Sequence, residues 1–238
     1  MNAGERTAAS LKEARRLLEH SLSIDSGYAR AYAMLAWTYV HTYNQPWDGD
    51  YLNPAMLDRA YELAAKAVQL DGNLPEAHAH LGWVLLFKRQ HDAAIAEFEC
   101  AFTLNSNFVD HRFANVLAHA GEAARAIELL HANIRLDPFR PIHLGYLGHA
   151  YYMLGRYADA VPPLRECTSR LPNYQILHLW RAAAHAQLGR STEAEAAEIL
   201  RIWPGFTIAK FKPIAVYRNP EDAEHLFDGL RRAGLPEA

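Results

Sequence analysis

The chain has 238 residues, half of them hydrophobic and 21% charged, which is enough apolar surface for a sizeable core. A net charge of -3, with the pairs Arg15-Arg16 and Arg231-Arg232 standing isolated on solvated helix faces, argues against a nucleic-acid partner. No apolar run approaches the length of a membrane span, and no charged start followed by an apolar core marks a leader, so the expected location is the cytoplasm with no membrane insertion.

The first predicted helix covers Arg6 to Ile24, with Ala14, Leu17, Leu18 and Leu22 along one face. Tyr28 to His41 follows, with Tyr32, Leu35, Ala36 and Tyr39 at helical spacing. Thr42 to Asn53 reads as a loop, since it holds Pro46, Trp47, Gly49 and Tyr51. Asn53-Pro54 then opens a helix that runs to Leu70. From His78 to Ser106 the pattern is that of two helices back to back. His78, Leu81, Gly82 and Leu85 mark the inner side of the first, and Ala94 and Phe98 mark the second. Gly82 and Ala94 are small where the helices cross, and Lys88 to His91 is a short polar turn.

Phe108 to Ala120 and Glu122 to Leu136 form the next pair, with Asn115 and Val116 where Leu and Gly would stand, and Asp137-Pro138 ends it. Pro141 to Leu154 restores the pattern through Leu144, Leu147, Gly148 and Tyr151, followed by Gly155, Tyr157, Ala160 and Leu164. Pro162 and Pro163 should kink this second helix or delay its start. Tyr174 to Leu188 and Ser191 to Ile202 are the last pair, closed by Trp203-Pro204-Gly205. Phe206 to Tyr217 suggests a short helix broken at Pro213. Asn219-Pro220-Glu221-Asp222 caps and starts a final helix with Leu226, Phe227 and Leu230 on one face and Gly234 at its end.

The small anchors Ala14, Ala60, Ala94, Ala126, Ala160 and Ala194 recur at intervals of 46, 34, 32, 34 and 34 residues. That period, with large-x-x-Leu-Gly-x-x-large before Ala94, resembles the tetratricopeptide (TPR) repeat. The expected fold is all-α: a right-handed TPR superhelical solenoid forming one domain over residues 1–238. It divides into an N-terminal half repeat (1–27), five helical-hairpin repeats (28–205) and a C-terminal capping segment (206–238). The partner of the first helix would precede Met1, so its apolar face lacks its usual cover, which suggests a piece of a longer protein or an atypical terminal repeat. The same uncovered helix would allow a homo-oligomer. Cys100 and Cys167 fall at similar points of non-neighbouring repeats, which argues against a disulfide and fits a reducing compartment.

Asn-Pro-Glu-Asp-Ala-Glu-His-Leu-Phe-Asp-Gly-Leu-Arg-Arg-Ala-Gly-Leu-Pro-Glu, residues 219–237, resembles the C-terminal end of bacterial proteins that join a class III adenylate/guanylate cyclase domain to TPR repeats. Leu81-Gly82-Trp83, Ala93 to Phe98 and Ala31 to Trp37 look like the same region of those proteins. The resemblance implies the regulatory, partner-binding part of a signalling protein, with any cyclase domain upstream. Alternatives are a free-standing TPR adaptor and the TPR part of a transcriptional regulator.

Catalysis is not expected of the chain itself. Its only Asp-x-Asp, Asp48-Gly49-Asp50, lies in the loop without a strand or basic partners, and there is no phosphate-cradling glycine loop. The 13 histidines lack zinc-site spacing, and His78, His178 and His185 read as packing residues. Neither cysteine has a histidine at a spacing that suggests a nucleophile. No cofactor or metal is expected. What remains is the concave face that first helices line in such arrays. Threading places Arg30, Ala33, Trp37 and His41 there, then His80, Trp83 and Phe87, then Phe113 and Leu117, then Tyr146, His149, Tyr152 and Trp180. This aromatic lining suits an apolar segment, including one from the protein's own upstream part. The competing reading is that tight packing buries the rings as ordinary core. In the insertion loop, Trp47 and Tyr51 favour partner contact over a tolerated surface excursion.

Overall fold

A computed structural model describes residues 8–46 and 49–238. It divides into two compact units, Met1–Phe108 and Val109–Ala238. Among the described residues every regular element is helical. Arg6, Trp47 and Asp48 lie outside the described residues.

Unit 1 contains α1 (Ala8–Ile24), α2 (Ala29–Asn44), α3 (Pro54–Leu70), α4 (Pro75–Phe87) and α5 (His91–Leu104). Each helix packs on the next, and α2 also packs on α4, so successive first helices stack side by side. The side chain of Asn53 accepts the Ala55 N–H at 3.1 Å and Pro54 follows it, which is why α3 begins where it does. On α1, Leu11 is buried while Leu17 is half exposed and Ile24 more so. The Arg15 guanidinium ties α1 to α2, lying 3.8 Å from the Tyr39 ring and donating to the Thr42 hydroxyl at 3.0 Å.

The α4–α5 hairpin shows why small residues recur. A Cβ on Gly82 would lie 2.9 Å from the Ala94 carbonyl oxygen and 2.8 Å from the Phe98 ring. Ala94 and Phe98 are wholly buried, so nothing on the far side can move away. In unit 2 Gly148 repeats the arrangement, its would-be Cβ falling 3.0 Å from the Ala160 carbonyl and 2.4 Å from Leu164.

Unit 2 contains α6 (His111–His119), α7 (Ala123–Leu136), α8 (Ile142–Met153), α9 (Tyr157–Arg170), α10 (Gln175–Gln187), α11 (Glu193–Ile202), the short α12 (Ile208–Phe211) and α13 (Pro220–Arg232). Several expectations need correcting here. Helix α6 starts at His111 rather than Phe108, because Asp110 caps it by accepting the Arg112 N–H at 2.8 Å. Helix α9 runs through Pro162 and Pro163 and is not delayed. The carbonyls they leave without donors belong to Ala158 and Asp159, which face solvent and can bond to water. Ala194 is exposed rather than an anchor: α11 starts two residues later than the period predicts and buries only Ile199. At the start of α13, Asn219 occupies the cap position, but its amide donates to the Asp222 carboxylate at 3.0 Å instead of capping a backbone N–H.

After α11 the chain leaves the hairpin pattern. Trp203, Phe206, Phe211 and Phe227 form a run of edge-to-face and tilted ring contacts that fixes α12 and α13 to the end of the last pair. Pro213 lies in a 3-10 turn, residues 212–214, and a non-helical stretch follows to Asn219.

Candidate protein-binding surfaces

In unit 1 the inner positions of α2 and α4 are partly open. Arg30 is exposed and pairs with Glu76 at 3.4 Å. Ala33, His41, His80 and Trp83 are buried, whereas Trp37 and Phe87 are half-buried. Trp37 lies 4.2 Å from the His41 ring, and Phe87 meets Trp83 edge-on at 5.2 Å. The indole N–H of Trp83 is buried and has no hydrogen-bond acceptor among the described residues. The insertion folds back on α2: the Leu52 N–H donates to the Tyr43 carbonyl at 2.9 Å, and Asn53 donates to Asp50 at 3.1 Å. Tyr51 is half-buried, and burial together with nearby Tyr43 pushes its hydroxyl pKa up. Tyr43 in turn faces Phe87 at 6.1 Å, so the loop adjoins the aromatic end of this surface.

In unit 2 the same class of positions is covered. Phe113, Tyr146, His149, Tyr152 and Trp180 are all buried, His149 and Tyr152 completely, and so is Leu117. Over His149, Tyr152 and Trp180 the cover is the chain's own C-terminal segment. The Tyr217 ring stacks on His119 at 4.2 Å and 14°, and its hydroxyl lies 2.7 Å from His149 Nε2. His149 stacks in turn on Trp180 at 4.2 Å and 7°. The Arg218 N–H donates to the His119 carbonyl at 2.8 Å. Further along, the Tyr152 hydroxyl donates to the His225 carbonyl at 2.9 Å, and the two rings stack at 4.6 Å. Gly229 lets α13 approach: a Cβ there would meet the Tyr152 hydroxyl at 2.5 Å and Ala183 at 2.9 Å. In unit 2 these inner rings are thus covered by a downstream stretch of this chain.

Burial sets the electrostatics of this face. His149 sits among rings, and burial, then repulsion from His119, holds its pKa well below the ordinary value. Burial also lowers His143 and His225, and brings His111 to about 3. Tyr217 is pushed well above its usual range, chiefly by burial. For Asp110, burial raises the carboxyl, but the Arg112 guanidinium and the Arg112 N–H outweigh it and hold it at about 2.

The remaining candidates behave as packing residues. His78 faces two acceptors, Glu97 at 2.7 Å and the Gly72 carbonyl at 3.0 Å, and His178 faces the Pro172 carbonyl at 2.8 Å. His185 lies 3.8 Å from Glu195. One expectation is corrected: Cys100 does have a histidine neighbour, its sulfur lying 3.7 Å from His78 Nε2 across the α4–α5 hairpin. Linear spacing conceals a contact made between two helices, and that nitrogen is already taken by the Gly72 carbonyl. Cys100 and Cys167 are both free thiols, and burial pushes Cys167 up to about 12. Among the described residues no group of three or more His, Cys, Asp or Glu could hold a metal ion, and no helix is long and apolar enough to cross a membrane.

Stacked antiparallel hairpins, with glycine facing a buried alanine carbonyl at Gly82 and Gly148, define a tetratricopeptide-repeat fold, and residues 75–108 match the tetratricopeptide repeat family model. A chain of the APC/C hetero-tetramer Cut9-Hcn1 structure superposes with a TM-score of 0.69 at 18% identity, over 94% of this chain and 40% of that one. PilW, a type IV pilus biogenesis factor, gives 0.62 at 17% identity over 86% and 90%. At the sequence level the chain is similar to "Putative adenylate cyclase 3" of Rhizobium meliloti (strain 1021), 37% identical over 87 residues. That match spans 37% of this chain and 14% of the relative's length.

Proposed function

We propose that this chain is a non-catalytic scaffold that holds an apolar or amphipathic segment of another protein against the inner residues of α2 and α4. Arg30, Trp37 and Phe87, with Tyr51 of the insertion, make the contact. Such a surface supplies rigid aromatic anchors and one charged rim residue. The observation that carries this reading is in unit 2, where inner positions of the same kind already hold a polypeptide segment through stacking, one hydroxyl and one backbone N–H. The expected partner is protein or peptide. Selecting segments from a random peptide library on the intact chain tests this: sequences with aromatic or aliphatic anchors should be enriched, and Trp37→Asp should abolish their binding while circular dichroism stays unchanged. Enrichment that survives Trp37→Asp and Phe87→Asp would overturn the assignment.

The likeness to the Rhizobium protein supports a narrower reading. The chain is the regulatory part of an adenylate-cyclase-type signalling protein and works in the cytoplasm, where two unpaired thiols are at home. Cyclic-AMP output of a class III catalytic domain from the same genome, measured with and without this chain, tests it. A change lost in Trp37→Asp supports the reading, and an unaltered output removes the cyclase connection.

A further inference from the structure

Residues 215–219, Ala-Val-Tyr-Arg-Asn, cross the inner face of unit 2 without helical structure, between the turn at Pro213 and the start of α13 at Pro220. Their contacts are those of a bound peptide rather than of another packed helix. One backbone group is recognised, the Arg218 N–H on the His119 carbonyl at 2.8 Å. One side chain is read in full. Tyr217 enters a slot whose walls come from three helices, His119 of α6, His149 of α8 and Trp180 of α10, and only 4% of it remains exposed.

The slot is selective in chemical terms. His149 is completely buried, and Tyr217 is the partner of its Nε2; its Nδ1 has none. A phenylalanine would fill the ring space but strand the second nitrogen, and a site built to bond a hydroxyl rejects the analogue lacking it. The stacked faces of His119 and Tyr217 require a flat aromatic ring.

We propose that this slot is a tyrosine-reading peptide site, that residues 215–219 are its resident occupant, and that a non-helical segment of another protein presenting a tyrosine competes for it. The proposal rests on reading the chain as a segment-binding scaffold, and assigns to unit 2 a second surface that opens when the resident strap leaves. The helix α13 beyond the strap is held separately, by Tyr152, Ala183 and Gln187, so release of the strap does not require release of the helix.

The test uses the full chain and a labelled peptide of sequence Lys-Pro-Ile-Ala-Val-Tyr-Arg-Asn, blocked at both ends, followed by fluorescence anisotropy. The Tyr217→Ala chain, whose slot is vacant, should bind the peptide at least about tenfold more tightly than the wild type, where the resident strap competes through its high effective concentration. The peptide with Phe in place of Tyr should bind about tenfold or more weakly. No saturable binding to a folded Tyr217→Ala chain, or equal binding of the Tyr and Phe peptides, overturns the proposal. Should Tyr217→Ala not fold, hydrogen exchange of the wild type decides. Exchange at the amides of residues 217 and 218 well ahead of those in α8 and α10 supports a strap that opens by itself. Exchange only together with those helices shows a permanent core element and overturns the idea. Failure here with Trp37-dependent selection intact in unit 1 would leave the scaffold reading standing.

Discussion

Trp37 in unit 1 and Trp180 in unit 2 both stand on first helices, each with a histidine ring 4.2 Å away. Trp37 remains half-buried, whereas Trp180 keeps only 2% of its surface and is joined by Tyr217 from the C-terminal segment. The same residue type at the same kind of position is therefore partly exposed in one unit and core in the other. Whether an inner aromatic residue of such a repeat is available depends less on its own hairpin than on whether a distant stretch of the chain lies over it.

Truncating the two surfaces should separate them most sharply. Tyr217→Ala removes a buried ring together with a hydroxyl bonded to His149, and should cost unit 2 about 3–5 kcal/mol. Trp37→Ala, at a half-buried ring, should cost unit 1 about 1–2 kcal/mol, since only the covered part of its area is lost. Chemical denaturation of each variant checks this, and equal losses would dissolve the contrast. The hairpin crossings are the opposite control. Gly82→Ala and Gly148→Ala each press a methyl onto a carbonyl and a buried side chain, so each should cost about 1–3 kcal/mol with no difference between units.

Much of this was legible before any coordinates. A repeated small residue opposite a glycine reports a helix crossing, because steric exclusion acts within one hairpin and leaves a local mark, as at Gly82 and Ala94. The insertion between α2 and α3 was legible from its proline and glycine, but α2 runs on through Thr42 to Asn44, residues that the sequence pattern assigns to the loop. The fate of the inner face was not. Tyr217 and His149 are 68 residues apart, and nothing in the period says that the tail turns back over α8 and α10. The signals available were Tyr217 just before Asn219-Pro220 and the odd glycine, Gly229, within an otherwise good helix, where only a close approach makes sense. Ala194 misled because a two-residue slip of α11 leaves the spacing of letters intact while rotating the face.

Acid should act on unit 2 next. His111, His143, His149, His178, His185 and His225, all in unit 2, have pKa values lowered by burial first of all. A depressed histidine stabilises the fold in its neutral form. The benefit is fully present above the unfolded pKa of about 6.5 and is lost as pH falls below it, down to about 3 for His111. Asp110, at about 2, stays ionised across that window and does not offset the loss. Residue-resolved hydrogen exchange at pH 7.5 and 5 should show protection in α8, α10 and α13 falling, and His149→Gln should flatten that slope. An unchanged pattern would mean that the stacked rings contribute little to holding the tail.

The smallest effect concerns the hairpin turns. Three turns of unit 2 place glycine in the left-handed region, Gly121 at φ 85°, Gly155 at 69° and Gly189 at 65°. The corresponding turn of unit 1 places Arg89 there, at φ 59°. A side chain in that conformation costs about 1–2 kcal/mol, of which glycine returns part through its freer unfolded state. Arg89→Gly should therefore stabilise unit 1 by about 0.5–1 kcal/mol, and Gly155→Ala should destabilise unit 2 by about 1 kcal/mol. Opposite signs from matched substitutions, read as shifts of the denaturation midpoint, would show that the turn of unit 1 carries strain that the turns of unit 2 avoid. A loss of stability in Arg89→Gly would instead mean that the arginine side chain offsets the cost of its backbone through contacts of its own.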